Sequence, residues 1–186
     1  MKIALVVEGQ SDRIFFSSLI DYFKNYGVSI DIIDTGGRPS MFKNAEKHYK
    51  ACKYGLGADF VIFMPDIDND VSVDITAEKV KVCSGDNYKV SVIVRELEAW
   101  ILADGNCINQ VLDSDYQPSG ITDNIVNPKE KLTHMIYDKL NLKLTAFEIA
   151  QKFSPHFSVF RAEQNNNSLN YFLQIIKGLS KENVAV

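Results

Sequence analysis

The run Ile3-Ala4-Leu5-Val6-Val7, almost at the start of the chain, constrains the fold more than any other feature. A strand with one wet face alternates apolar and polar residues, so an unbroken apolar run means a strand covered on both faces. Covering both faces requires helices between parallel strands. The chain supplies them: Phe15, Phe16, Leu19, Ile20 and Phe23 recur at helical spacing directly after the run. Ser11 is placed to cap that helix, with Asp12 in its first turn near the positive end of the dipole.

The alternation continues. Strands are expected over Val28 to Ile33, Ala58 to Met64 and Lys89 to Val94. Helices are expected from about Met41 to Tyr54 and from Val71 to Val82. The order β-α-β-α-β-α-β predicts an α/β fold with a parallel sheet of about four strands and helices on both faces. After Arg95 the strand pattern stops. Glu96 to Ala103, Asn106 to Leu112, Lys129 to Lys139, Thr145 to Phe153 and Ser168 to Leu179 read as helices, with a polar loop from Ser114 to Asn127. The organisation expected is an α/β domain over residues 1–104 and a helical extension over residues 105–186 packed on it as one compact unit.

Acidic residues fall where such strands end. Glu8-Gly9 follows the first run, Asp66-Ile67-Asp68-Asn69-Asp70 follows the third strand, and Arg95-Glu96-Leu97-Glu98 follows the fourth. Open α/β sheets bind ligands at the carboxyl ends of their strands. Carboxylates gathered there repel one another unless a cation is bound. Asp66 and Asp68, two apart on an extended segment, share a face and suit one hard cation, with Asp70 extending the shell. Asp70 as a helix cap is the competing reading. An EF-hand loop is excluded, because the sixth position is Val71 instead of Gly and the twelfth is Ala77 instead of Glu. Glu96 and Glu98 share a face if extended but lie about 200° apart in a helix, where only one reaches the site; Glu98 is then the preferred ligand. Oxygen-only ligation points to Mg²⁺ or Mn²⁺. For a phosphate, the cations nearest the expected crevice are Arg13, Arg38, Arg95, Lys129 and Lys131, with Lys129 at a helix start after Pro128, and Gly9 allows a close backbone approach.

Composition narrows the function classes. The net charge of -4 gives no overall basic footprint for nucleic acid. Cys52, Cys83 and Cys107 show no zinc-ligand spacing and read as free thiols of a cytoplasmic protein. No phosphate-loop motif marks an ATPase, and no apolar run is long enough to span a membrane. His48, His134 and His156 are scattered and take no role.

Glu8-Gly9 with Asp66-x-Asp68 resembles the TOPRIM domain of topoisomerases, bacterial primases and OLD-family nucleases. The stretch Val94-Arg95-Glu96-Leu97-Glu98-Ala99-Trp100-Ile101-Leu102-Ala103-Asp104 is similar to a signature of the DUF4276 family of small TOPRIM-like proteins. Asn127-Pro128-Lys129-x-x-Leu132 and Ser168-Leu169-Asn170-Tyr171-Phe172 extend that resemblance over nearly the whole chain. It implies a TOPRIM-like fold and a Mg²⁺ site in which Glu8 is a ligand or acid/base and Asp66 and Asp68 hold metal. Glu96 and Glu98 would extend that site. The implied activity is Mg²⁺-dependent nuclease action on DNA or RNA. The implied setting is bacterial anti-phage defence beside an ABC- or AAA-type ATPase. A non-catalytic regulatory subunit of such an ATPase is the alternative. The chain lacks a tyrosine-bearing strand-passage domain, so topoisomerase activity is not expected.

Overall fold

The computed structural model describes residues 1–68 and 70–182, with the side chains of residues 181 and 182 outside the description. Among the described residues four strands form one sheet: β1 (Lys2–Val7), β2 (Ser29–Asp34), β3 (Phe60–Met64) and β4 (Tyr88–Val90). Their order is β2-β1-β3-β4 and every pairing is parallel. The fold is α/β, as the unbroken apolar runs predict.

Alternate residues of β1 feed two cores, which is why the run has no polar position. Ile3, Leu5 and Val7 face one cluster, and Ala4 and Val6 face the other. The smaller cluster lies under α3 (Arg38–Lys43), α4 (Ala45–Lys50) and a π-helical turn at Ala51–Gly55. The larger one is covered by α1 (Gln10–Ser18), α2 (Ile20–Lys24) and the helices after the sheet. Those are α6 (Glu98–Ala103), α7 (Gly105–Leu112), α8 (Pro128–Leu140), α9 (Ala146–Phe153), α10 (Val159–Ala162) and α11 (Asn167–Glu182). The helical extension thus shares its core with the sheet. Among the described residues no helix is long and apolar enough to cross a membrane. The three cysteines are free, Cys52 and Cys107 buried and Cys83 exposed.

Several boundaries differ from the sequence reading. The helix after β1 breaks at Leu19, and its N-cap is Gly9, whose amide donates to the Asp12 carboxylate at 2.9 Å. Ser11 lies inside the helix instead of capping it. The helix expected over Val71 to Val82 is the short α5 (Val73–Glu78), capped by the Ser72 hydroxyl, which accepts from the Ile75 amide. The fourth strand stops at Val90, although an isolated parallel bridge between Asp66 and Ile93 prolongs the pairing beyond it.

The motifs that carry the family resemblance meet around Trp100, which is fully buried. Its ring stacks on Phe172 with centroids 5.8 Å apart and meets Phe16 edge-on at 5.7 Å. Its Nε1 donates to the Ser168 hydroxyl at 2.9 Å. Asp123 then accepts from the Ser168 and Asn167 amides, both at 2.9 Å, and from Asn166 Nδ2 at 2.6 Å. These bonds satisfy donors at the start of α11 that would otherwise be buried without partners. The segment running from Arg95 into α6 is thereby anchored to the carboxyl-terminal helices.

Candidate functional site: an acidic pocket beside a charged cleft

Register brings the first two acidic clusters together. Val7 pairs with Met64, so both chains leave the sheet at the same level. Glu8 then turns its side chain across, and its Oε1 accepts the Asp66 amide at 3.0 Å. The loop after β2 holds Glu8 from the other side: the Gly37 amide and the Thr35 hydroxyl donate to the Glu8 carbonyl at 2.7 and 3.2 Å. Gly37 sits at φ 119°, a conformation that L side chains rarely adopt. The bridge to Ile93, with the Ile67 amide donating to the Ile93 carbonyl at 2.9 Å, sets the third cluster alongside.

Asp66 is the centre of the arrangement. Burial pushes its carboxyl well above the usual range, and Asp12, Glu8, Glu98 and Asp68 add like-charge repulsion, in that order. Among the described residues no hydrogen-bond donor reaches its side chain. Burial is also the main cause that raises Glu8, to about 7, with the Asp66 amide and the Arg38 charge opposing. Glu98 and Asp12 are raised mainly by burial, which hydrogen bonds from the Gly9 amide and Ser11 oppose at Asp12 and which the charge of Lys129 opposes at both.

Asp12 is the member that sequence reasoning missed, having been assigned to the helix dipole. The available signal was topological. A helix that starts directly after a parallel strand points its first turn at the carboxyl edge of the sheet, so an acid there faces the crevice. Glu96 and Glu98 both line the same small pocket, about 60 Å³, together with Ser11, Asp12, Asp66 and Lys129. The choice between the two glutamates dissolves because α6 starts only at Glu98, which leaves Glu96 outside the helix. Glu96 accepts the Lys129 amide at 3.3 Å and so ties the start of α8 to the site.

Asp68 and Asp70 are held differently. Arg38 bridges them, one guanidinium nitrogen to Asp68 and the other to Asp70 at 2.5 Å, and the guanidinium lies over the Phe42 ring at 5.2 Å. Asp70 also accepts from Lys79 and from the Thr76 hydroxyl, and these bonds lower its carboxyl below the usual range. Its oxygens are committed on the side of α5, and it caps no helix. Asp68 adopts φ 46° and lines the cleft described next. Asn69 lies outside the described residues. Gly9 has extended backbone at φ -148° and spends its amide on Asp12. Among the described residues, no three Asp, Glu, His or Cys side chains stand close enough together to hold a metal ion as they are.

A larger cleft of about 500 Å³ opens beside the acidic pocket, sharing Glu96 and Lys129 with it. Arg95 and Lys129 supply its positive charge, and neither forms an ion pair among the described residues. Arg95 sits at φ 69°, a left-handed conformation costly for a residue with a Cβ. Arg13 instead pairs with Asp34 at 3.4 Å, and the Lys131 ammonium lies over the Tyr116 ring at 5.3 Å.

Two consequences are measurable. Glu8 binds its proton more tightly folded, near 7, than unfolded, near 4.5. Its contribution to stability is therefore complete below pH 4.5 and lost as the pH rises through 7. Allowing for solvent screening at a half-buried group, the loss is about 1–2 kcal/mol. Thermal melts in chelator should show lower stability at pH 8 than at pH 5.5, and Glu8→Gln should flatten that part of the profile. An unchanged slope in the variant would refute the assignment. Arg95→Gly should relieve the left-handed strain and raise stability by about 0.5–1 kcal/mol in urea denaturation. A loss of stability would mean that the guanidinium makes contacts that matter more than the strain.

No family model, no curated protein and no solved structure matches this chain.

Proposed function

We propose that the protein is a Mg²⁺- or Mn²⁺-dependent phosphodiesterase acting on nucleic acid, with a TOPRIM-type carboxylate site. The observation that carries this reading is Asp66, which among the described residues has no donor to its side chain, is repelled by Asp12, Glu8, Glu98 and Asp68, and lies beside a cleft whose Arg95 and Lys129 form no ion pair. Mutual repulsion of this kind destabilises a protein unless a positive ligand offsets it. An all-oxygen donor set fits a hard divalent cation. Asp66 and Glu98 would hold it, joined by Asp12 or Asp68, once their side chains turn toward the cation. When bound, such a cation polarises a phosphoryl oxygen and lowers the pKa of water.

The chain's own residues supply the rest. Arg95 and Lys129 would bind the phosphate oxygens and orient the ester over Asp66. Glu8, held against the Asp66 amide at 3.0 Å, would be the group beside the attacking water that takes its proton. The test is incubation with plasmid, single-stranded DNA and tRNA, in Mg²⁺, in Mn²⁺ and in chelator. Cleavage of at least one substrate that chelator abolishes is the expected result. No cleavage of any of them, also with a co-encoded ATPase present, would overturn the reading.

One observation favours a second reading. Arg38 and Lys79 already neutralise Asp68 and Asp70. A site partly satisfied from within suits a non-catalytic subunit of an ABC- or AAA-type ATPase. Titration with Mg²⁺ and Mn²⁺ separates the two: a metal-dependent rise in melting temperature supports the enzyme, and no shift supports the subunit.

A further inference from the structure

Resting on the phosphodiesterase reading, we infer that the cleft takes the end of a single strand, gripping about two phosphates, and does not take a duplex. Three observations lead there. First, among the described residues its positive charge comes from Arg95 and Lys129 alone, while Asp68, Glu96 and Glu130 line the same walls. Other cations close by are engaged: Arg38 and Lys79 with aspartates, and Lys131 over an aromatic ring. Proteins that track duplex DNA neutralise about 6–10 phosphates and bury about 1,000–2,500 Å² of their surface. A wall of alternating sign cannot offer that.

Second, the cleft is of the size that holds one small ligand, about 500 Å³ within the usual range of roughly 300–1,000 Å³. Third, the 60 Å³ acidic pocket beside it is backed by the buried side chains of Ile101, Ile149 and Ala150, and by Ala146. Those residues belong to α6 and α9, and α9 packs on α1. A strand passing through would need an exit there. A strand end needs none, and it brings its terminal phosphodiester to the carboxylates.

The chemistry is then release of the terminal unit by water. The water oxygen bonds to phosphorus and loses a proton to solvent, the ester P–O bond breaks, and the departing alkoxide oxygen takes up a proton from solvent.

Fluorescence anisotropy in Ca²⁺, across a range of salt, tests this by binding. The probes are a short single-stranded oligonucleotide with free ends, the same sequence closed into a circle, its duplex, and a mononucleotide. The linear strand should bind at least about tenfold tighter than the circle or the duplex. Its logarithmic salt slope should be about -1.4, the value for two phosphates on a single strand. Arg95→Gly and Lys129→Gln should each flatten the slope by about 0.7. A slope of about -3 or steeper, equal binding of circle and linear strand, binding of the mononucleotide alone, or no binding of any probe would overturn the inference. End-selective binding without cleavage in any metal would support the cleft assignment and count against hydrolysis. Cleavage of closed circular plasmid as fast as of linear single strands would do the reverse.

Discussion

Asp66→Asn is expected to lower metal-dependent cleavage by about a thousandfold or more, a loss of roughly 4 kcal/mol of transition-state stabilisation. The same substitution is expected to raise the melting temperature of the metal-free protein. Both effects have one cause. Asp66 is half-buried and faces Asp12, Glu8, Glu98 and Asp68, and among the described residues no donor reaches its side chain. An amide of the same shape removes the repulsion without leaving a cavity. It also removes the anionic oxygen on which the proposed cation site is centred. Opposite signs for activity and stability mark a site in which function is maintained against folding energy. A variant that loses activity because it fails to fold would show the contrary sign in the melt. Undiminished cleavage would remove Asp66 from the mechanism. Saturating Mg²⁺ should raise the melting temperature of the natural protein and leave that of the variant nearly unchanged.

The largest stability effect lies far from the cleft. Asp104→Ala is expected to cost about 3–5 kcal/mol, lowering the melting temperature by roughly 10 °C in a chain of this size. Asp104 is completely buried at the junction of α6 and α7. It caps α7 through the Cys107 amide at 3.1 Å and accepts the Ser158 amide at 2.7 Å. Arg161 grips both of its oxygens, at 2.7 and 2.8 Å, and so ties α10 to the same point. Alanine leaves two backbone donors and part of a guanidinium without partners. Arg161→Ala should cost less, because Asp104 keeps both amides and the Arg161 side chain is 37% exposed. Urea denaturation of the two single variants and the double variant measures the coupling. Equal costs for both single variants would refute the view that the helix cap carries most of the effect.

Much of the architecture was legible before any coordinates. The apolar run of β1 is long enough, and uninterrupted enough, to require helices on both faces, and the number of strands followed from the alternation of periods. Helix ends were less legible. Ser11 has the chemistry of a cap, but Gly9 with Asp12 takes that place because the helix starts two residues earlier. Glu8 and Asp66 were visible as acids after strands. That they touch depends on β1 and β3 being neighbours, a matter of strand order that local sequence does not encode.

The sequence by itself determined the fold class, the covered sheet and the gathering of acids at one edge, since each follows from periodicity and the alternation of strand and helix. Tertiary structure decided how those acids divide. It turned Asp12 into the site from a position that reads locally as a helix start. It withdrew Asp70 into the grip of Arg38 and Lys79, residues about thirty and nine positions away in the chain. It brought Lys129 from the helical extension to the carboxylates of the sheet. Charges act through space and not along the chain, so which carboxylate is paired and which is left repelled by its neighbours emerges only when the helices close over the sheet edge.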